Sequence, residues 1–161
     1  MPESMKPFDK IRPRDINIEK PVLDKKQVLT YYSFNEPALN GFSKELSNER
    51  ARADNSYYII FEKDIETSTL TERLDNNLPE NQEIDFLSID VEGLDLMVLK
   101  SNDFEKYKPK VILIEILDSN LHDIEKNERS QYLKQCDYSI YAKAVNTVIF
   151  ISDEFCNKRY K

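Results

Sequence analysis

Ile84-Asp85-Phe86-Leu87-Ser88-Ile89-Asp90-Val91-Glu92-Gly93, read together with Val111-Ile112-Leu113-Ile114-Glu115-Ile116, decides the fold. The first stretch sets an apolar run, Ile84 to Ile89, against an abrupt acidic and glycine-bearing end, the pattern of a buried strand that stops at a turn. Leu94, Met97 and Val98 then recur at the three- and four-residue spacing that puts side chains on one helix face. Lys108-Pro109-Lys110 introduces the second stretch, whose unbroken apolar character is that of a parallel strand covered on both faces. Strand, helix and strand in this order make a βαβ unit.

Working outward, Thr69 and Glu72 have the spacing of a capping box, and Leu70, Leu74 and Leu78 repeat every four residues behind them, which predicts a helix over Leu70 to Asn77. Further upstream, Tyr57 to Phe61 and Gln27 to Phe34 are rich in β-branched and aromatic residues and read as strands. A shorter strand is expected within Asp15 to Leu23, with Asp24-Lys25-Lys26 as the turn after it. Asn35 to Ser43 interrupts this pattern with Pro37 and Gly41, and a helix is expected from there to about Arg52, with Phe42 and Leu46 on one face. Downstream, a charged helix is expected over Ile124 to Gln135. Tyr138 to Ala142 and Thr147 to Ile151 are expected to pair as a hairpin through Lys143 to Asn146. Helices alternate with strands, so the class is α/β.

The chain has 161 residues, the size of one domain, and it is read as an N-terminal arm over 1–14 followed by a domain over 15–161. Lys and Arg number 23 against 30 Asp and Glu, a formal charge of −7 that argues against nucleic acid or an anionic membrane as the main partner. No apolar run approaches the length of a membrane span, and Met1 to Lys10 mixes charge with proline where a signal peptide would be apolar, so a cytoplasmic location is expected. Cys136 and Cys156 are the only cysteines and have no metal-ligand spacing; they are read as incidental thiols.

Ile84 to Gly93, Leu99-Lys100 and Pro109 to Ile116 resemble the FkbM-type methyltransferases, whose members are similar to iDfLkiDvEG, a helix with VLkg, and a strand of the type pkviivEi. Thr69 to Leu74 is similar to the leucine-bearing helix before that strand, and Arg12 to Ser43 to the region preceding it. The resemblance implies a Rossmann-like class I methyltransferase sheet that binds S-adenosylmethionine and its acceptor at the carboxyl ends of the parallel strands, where open α/β sheets place their ligands. It also implies a first strand ending in a glycine-rich turn, roughly vDvGAniG, and a second whose acidic end holds the ribose. This sequence has only Gly41 and Gly93, neither in that setting. The expected sheet is therefore N-terminally incomplete, lacking its first two strands, and the chain alone is expected to bind S-adenosylmethionine poorly. The strand ending at Asp90 should then present an open edge, to be covered by the N-terminal strands, by self-association or by aggregation.

Asp90, Glu92 and Glu115 are the candidate catalytic residues, with Asp90 and Asn35 as candidate cofactor contacts. Methyl transfer to a hydroxyl needs positioning and a base for the departing proton, and Asp90 is placed in that role or in orienting the donor. Alternatively, Asp90 and Glu92 cap the following helix, where carboxylates favour free N–H groups. Glu115 is notable as a carboxylate in an apolar run, although a strand-end residue in solvent would look the same. Asn35 and Asn40 flank the proline turn and suit either ligand contact or turn formation. His122, the only histidine, reads as a surface residue. Gly93 is expected where a β-branched side chain would lower helix propensity and crowd the helix against the strand. The expected function is O-methylation of a sugar or other small metabolite, with no metal. One alternative is a non-catalytic subunit completed by another chain. The other is a hydrolase in which Asp90, Glu92 and Glu115 hold Mg²⁺.

Overall fold

The computed structural model describes residues 5–53, 56–91, 93–117 and 120–159. They fall into two compact units, Met1–Ser68 and Thr69–Lys161.

The first unit is organised by two antiparallel strands, β1 (Val28–Phe34) and β2 (Ile59–Glu66), running from Val28 opposite Glu66 to Phe34 opposite Ile59 with a register shift at Ser33/Phe34. β2 starts later and runs further than Tyr57 to Phe61, through Glu62, Lys63 and Asp64, whose side chains are exposed. Pairing with β1, and not burial, makes this stretch a strand, so hydrophobic periodicity could not reveal it. Tyr31, Tyr32, Phe34 and Leu23 are buried, with Phe42 and Phe61 tilted against Tyr31 at ring-centroid distances of 5.4 and 6.3 Å. A 3₁₀ turn at Pro37–Leu39 and helix α2 (Lys44–Ala53) fill the connection; Leu46, expected on the inner face with Phe42, is exposed.

The strand expected within Asp15 to Leu23 does not form. Ile16 and Ile18 are exposed, and the segment makes a single bridge, Val22 to Ser68, because Pro21 offers no N–H for a longer ladder. Thr67 instead pins the chain there: its hydroxyl donates to the Lys25 carbonyl at 2.9 Å and accepts from the Gln27 N–H at 3.0 Å. Met5–Ile11, read as part of a loose arm, is helical (α1), but none of its residues is buried.

The second unit contains α3 (Leu70–Asn77), β3 (Phe86–Ile89), α4 (Asp95–Lys100), β4 (Val111–Glu115), α5 (Leu121–Lys126), α6 (Glu128–Gln135), β5 (Tyr138–Ala144), β6 (Thr147–Ser152) and α7 (Asp153–Arg159). α3 occupies the predicted residues. Thr69 accepts from the Glu72 N–H at 3.1 Å, one half of the capping box, while the Leu70 N–H donates to the Ser101 hydroxyl. The βαβ unit is present: β3 and β4 are parallel, with Phe86 opposite Val111 and Ile89 opposite Ile114, and α4 lies between them in sequence. β6 pairs antiparallel with both β4 and β5, giving the order β3-β4-β6-β5. Ile112, Ile114, Val148, Phe150, Leu99, Ile124 and Leu133 form the centre of the core.

The helix expected over Ile124 to Gln135 is two helices. Asn127 ends α5 and begins α6 in an extended conformation, its side chain accepting from the Arg129 N–H. The hairpin forms with Val145 at φ 55 in its turn. The fold is mixed α/β; β1 and β2 form their own two-stranded sheet, and β3 pairs with β4 alone among the described residues.

Candidate functional site

The carboxyl ends of β3 and β4 lie side by side because the two strands are parallel and in register. Carrying the pairing of Ile89 with Ile114 one residue further sets Asp90 level with Glu115, on strands separated by about 4.8 Å in such sheets. At one level of a parallel pair, side chains share a face, here the one opposite Ile89 and Ile114. Asp90 is exposed and Glu115 half-buried, so Glu115 is not the deeply buried carboxylate its apolar neighbours suggested. Among the described residues neither carboxylate has a hydrogen bond or ion pair. Glu92 lies outside the described residues.

Asp90 does not cap the following helix. α4 begins after Leu94, which provides no side-chain cap. The polar contact at this turn comes from Asp95, which is 3% exposed. Its Oδ1 accepts from the Val91 N–H at 3.4 Å, and its Oδ2 lies 3.4 Å from the Arg129 guanidinium, whose side chain is 16% exposed. Arg129 Nε is buried without a hydrogen-bond partner. Neither Asp95 nor Arg129 was singled out from the sequence, although a signal existed for Asp95: it precedes Val98 and Leu99 by three and four residues and so shares their inward face.

Gly93 adopts φ 93, outside the range comfortable for L residues, and a Cβ there would meet nothing within 4 Å. The expected crowding of helix against strand is thus absent, and Gly93 precedes α4 instead of belonging to it. Backbone conformation is what requires glycine here.

Asn35 belongs to the first unit. Its Nδ2 donates to the Ser56 carbonyl and its Oδ1 accepts from the Tyr58 N–H, both at 2.9 Å, so the amide ties the two ends of the β1–β2 connection together. Asn40 Oδ1 accepts from the Phe34 N–H at 2.7 Å. His122 is exposed on α5. Among the described residues no three His, Cys, Asp or Glu side chains form a metal-binding group, and no helix is long and apolar enough to cross a membrane. Cys136 and Cys156 are both free thiols.

A cavity of about 730 Å³ lies at the other end of this sheet, lined by Lys106, Lys108, Lys110, Ser152, Phe155 and Lys158 among others. Its lysines are already paired: Lys106 with Asp75, Lys108 with Asp137, Lys110 with Asp85 and Glu83, and Lys158 with Glu154, at 2.5 to 3.2 Å. An anion entering there would have to displace these carboxylates. The acidic edge at Asp90 is the candidate site.

The family of the Methyltransferase FkbM domain matches residues 11–140, most of the chain. The protein belongs to this methyltransferase family. Comparison with curated proteins and with solved structures gave no match. For a methyltransferase of this family the donor set at the carboxyl edge suits the polar and cationic groups of S-adenosylmethionine, which pair with carboxylates. Asp90, one of the two expected cofactor contacts, is the described residue at this edge that would hold them; Asn35, the other, lies in the first unit with its amide bonded to Ser56 and Tyr58. The described part of this edge has no succession of glycines at which a nucleoside could approach the backbone.

Proposed function

We propose that this chain is a cytoplasmic S-adenosylmethionine-dependent O-methyltransferase acting on a hydroxyl of a sugar or other small metabolite. The observation that carries this reading is the Asp90 carboxylate: exposed at the end of β3, level with Glu115, and used neither to cap α4 nor to pair with a cation among the described residues. We read the four-stranded sheet as the C-terminal half of a Rossmann-like class I sheet, with β3 at the edge where the first strand of that fold would lie. The donor supplies the methyl group. Asp90 would orient donor and acceptor and take the proton that leaves the acceptor oxygen as the O–C bond forms and the methyl–sulfur bond breaks, a task for which an exposed carboxylate with no ion pair among the described residues is suited. Glu115, one strand away, adds a second acceptor for a neighbouring hydroxyl. The net charge of −7 favours small neutral or cationic acceptors over polyanions.

Calorimetric titration with S-adenosylmethionine, with and without Mg²⁺, tests the reading. Weak but saturable binding that ignores Mg²⁺ and weakens further in Asp90→Ala supports it, whereas tight one-to-one binding would overturn the expectation that the incomplete sheet holds the donor poorly. Mg²⁺ binding without S-adenosylmethionine binding would favour the hydrolase in which Asp90, Glu92 and Glu115 hold the metal.

A second reading is favoured by β3, which pairs with β4 alone among the described residues. In it, a strand from another chain, a second copy included, completes the sheet and supplies the glycine-rich turn, and this chain binds no donor by itself. Sedimentation equilibrium separates the cases. Concentration-dependent association abolished by Ser88→Lys, a charge placed on the edge strand, supports pairing through β3.

A further inference from the structure

We infer that Asp95, paired with Arg129, is a positioning residue that fixes the turn at the Asp90–Val91 peptide; the functional meaning of that turn rests on the reading of Asp90 given above. The turn follows a strand of only four residues that, among the described residues, is paired from one side alone. Its one side-chain anchor among the described residues is the Asp95 carboxylate, which reaches back from the first turn of α4 to the Val91 N–H, the amide immediately after Asp90. Holding that N–H fixes the peptide plane between Asp90 and Val91, and with it the direction in which Asp90 leaves the strand.

The carboxylate itself is held by α6. Asp95 is almost fully buried, and a buried carboxylate is retained only when paired. Its partner, Arg129, sits in the first turn of α6, downstream of the Asn127 cap that sets where α6 begins. The break between α5 and α6 at Asn127 thus has a consequence beyond the helices: it sets the register that presents Arg129 to Asp95. The pair is also incompletely satisfied. Arg129 Nε is buried without a partner, and the guanidinium meets Asp95 at 3.4 Å instead of in a close fork. Stability alone would be served as well by apolar residues of similar size, which often replace such pairs at no cost. A charge pair kept in this state beside a strand-end turn is better suited to fixing the turn than to strengthening the core.

The test compares wild type with the double variant Asp95→Leu/Arg129→Met, which removes the tether while keeping buried volume. It reads amide hydrogen exchange at Val91 against Ile112 and Ile114, together with S-adenosylmethionine binding. In wild type the Val91 amide should be protected. In the double variant it should exchange at least ~10-fold faster, with Ile112 and Ile114 unchanged. Donor affinity should fall on the same ~10-fold scale at an unaltered melting temperature. A wild-type Val91 amide that exchanges freely would overturn the inference without need of any variant, and so would a folded double variant with unchanged Val91 exchange. Absence of donor binding in wild type counts against the proposed function alone, because the exchange measurement still decides whether Asp95 fixes the turn.

Discussion

Asp90 and Gly93 stand three residues apart and predict opposite outcomes on substitution. Asp90 is exposed and has no hydrogen bond or ion pair among the described residues, so Asp90→Ala should leave stability within about 0.5 kcal/mol of wild type. In any active form of the protein it should lower methyl transfer by roughly 100-fold or more, the scale of a lost general base. Thermal denaturation and turnover measured on one preparation check both halves. Gly93→Val should do the reverse and destabilise by about 1–3 kcal/mol, because φ 93 is costly for a β-branched residue although space is available. If Gly93→Ala proved as stable as wild type, the backbone argument would fail. Asp90 and Gly93 were legible in the sequence because an acidic and a glycine residue interrupt an apolar run. Arg129 was not, since only the folded chain brings it to Asp95. The tie made by Asn35 was hidden too, because a turn-forming and a ligand-contacting asparagine look alike until the partners of the amide are known.

Among the elements, those whose bounds local chemistry decides are legible in the sequence. α3 has the predicted bounds because Thr69 caps it, and Thr69→Ala should cost about 1 kcal/mol in chemical denaturation. The same helix carries a pH-sensitive contact. Hydrogen bonds from the Lys106 ammonium and the Tyr107 hydroxyl hold the Asp75 carboxyl below its ordinary value. A depressed folded-state value means the contribution is fully present above the unfolded carboxyl pKa of about 3.9 and is lost as pH falls through the folded value. Asp75→Asn should therefore show a smaller drop in urea midpoint between about pH 5 and about pH 2.5 than wild type. An equal drop in the two proteins would assign the acid sensitivity elsewhere. Reading failed where tertiary pairing overrides local pattern. β2 runs through Glu62, Lys63 and Asp64 because β1 supplies a ladder, whereas Ile16 and Ile18 alternate like a strand but find none. One asparagine, Asn127, was enough to divide an otherwise continuous helical pattern.

For the whole molecule, the distribution of burial matters more than the length of the chain. Among the described residues, the buried apolar side chains of Met1–Ser68 are Leu23, Tyr31, Tyr32 and Phe34, around a two-stranded ladder, an arrangement that is marginal on its own. Thr69–Lys161 has four strands with helices and a core running from Ile89 to Ile151. Unequal cores predict unequal local stability. Amides in the β1–β2 ladder, such as Leu29 and Tyr31, should lose protection at lower urea than Ile112 and Ile114 in β4. Limited proteolysis should accordingly cut first within Met1–Ser68 and leave a resistant product beginning near Thr69. The acidic edge at Asp90 belongs to Thr69–Lys161, so this product should keep the protection of the Val91 amide. Coincident loss of protection in both units, with no resistant product, would show that the chain unfolds as one cooperative body and that the small core of the first unit draws its stability from beyond its own residues.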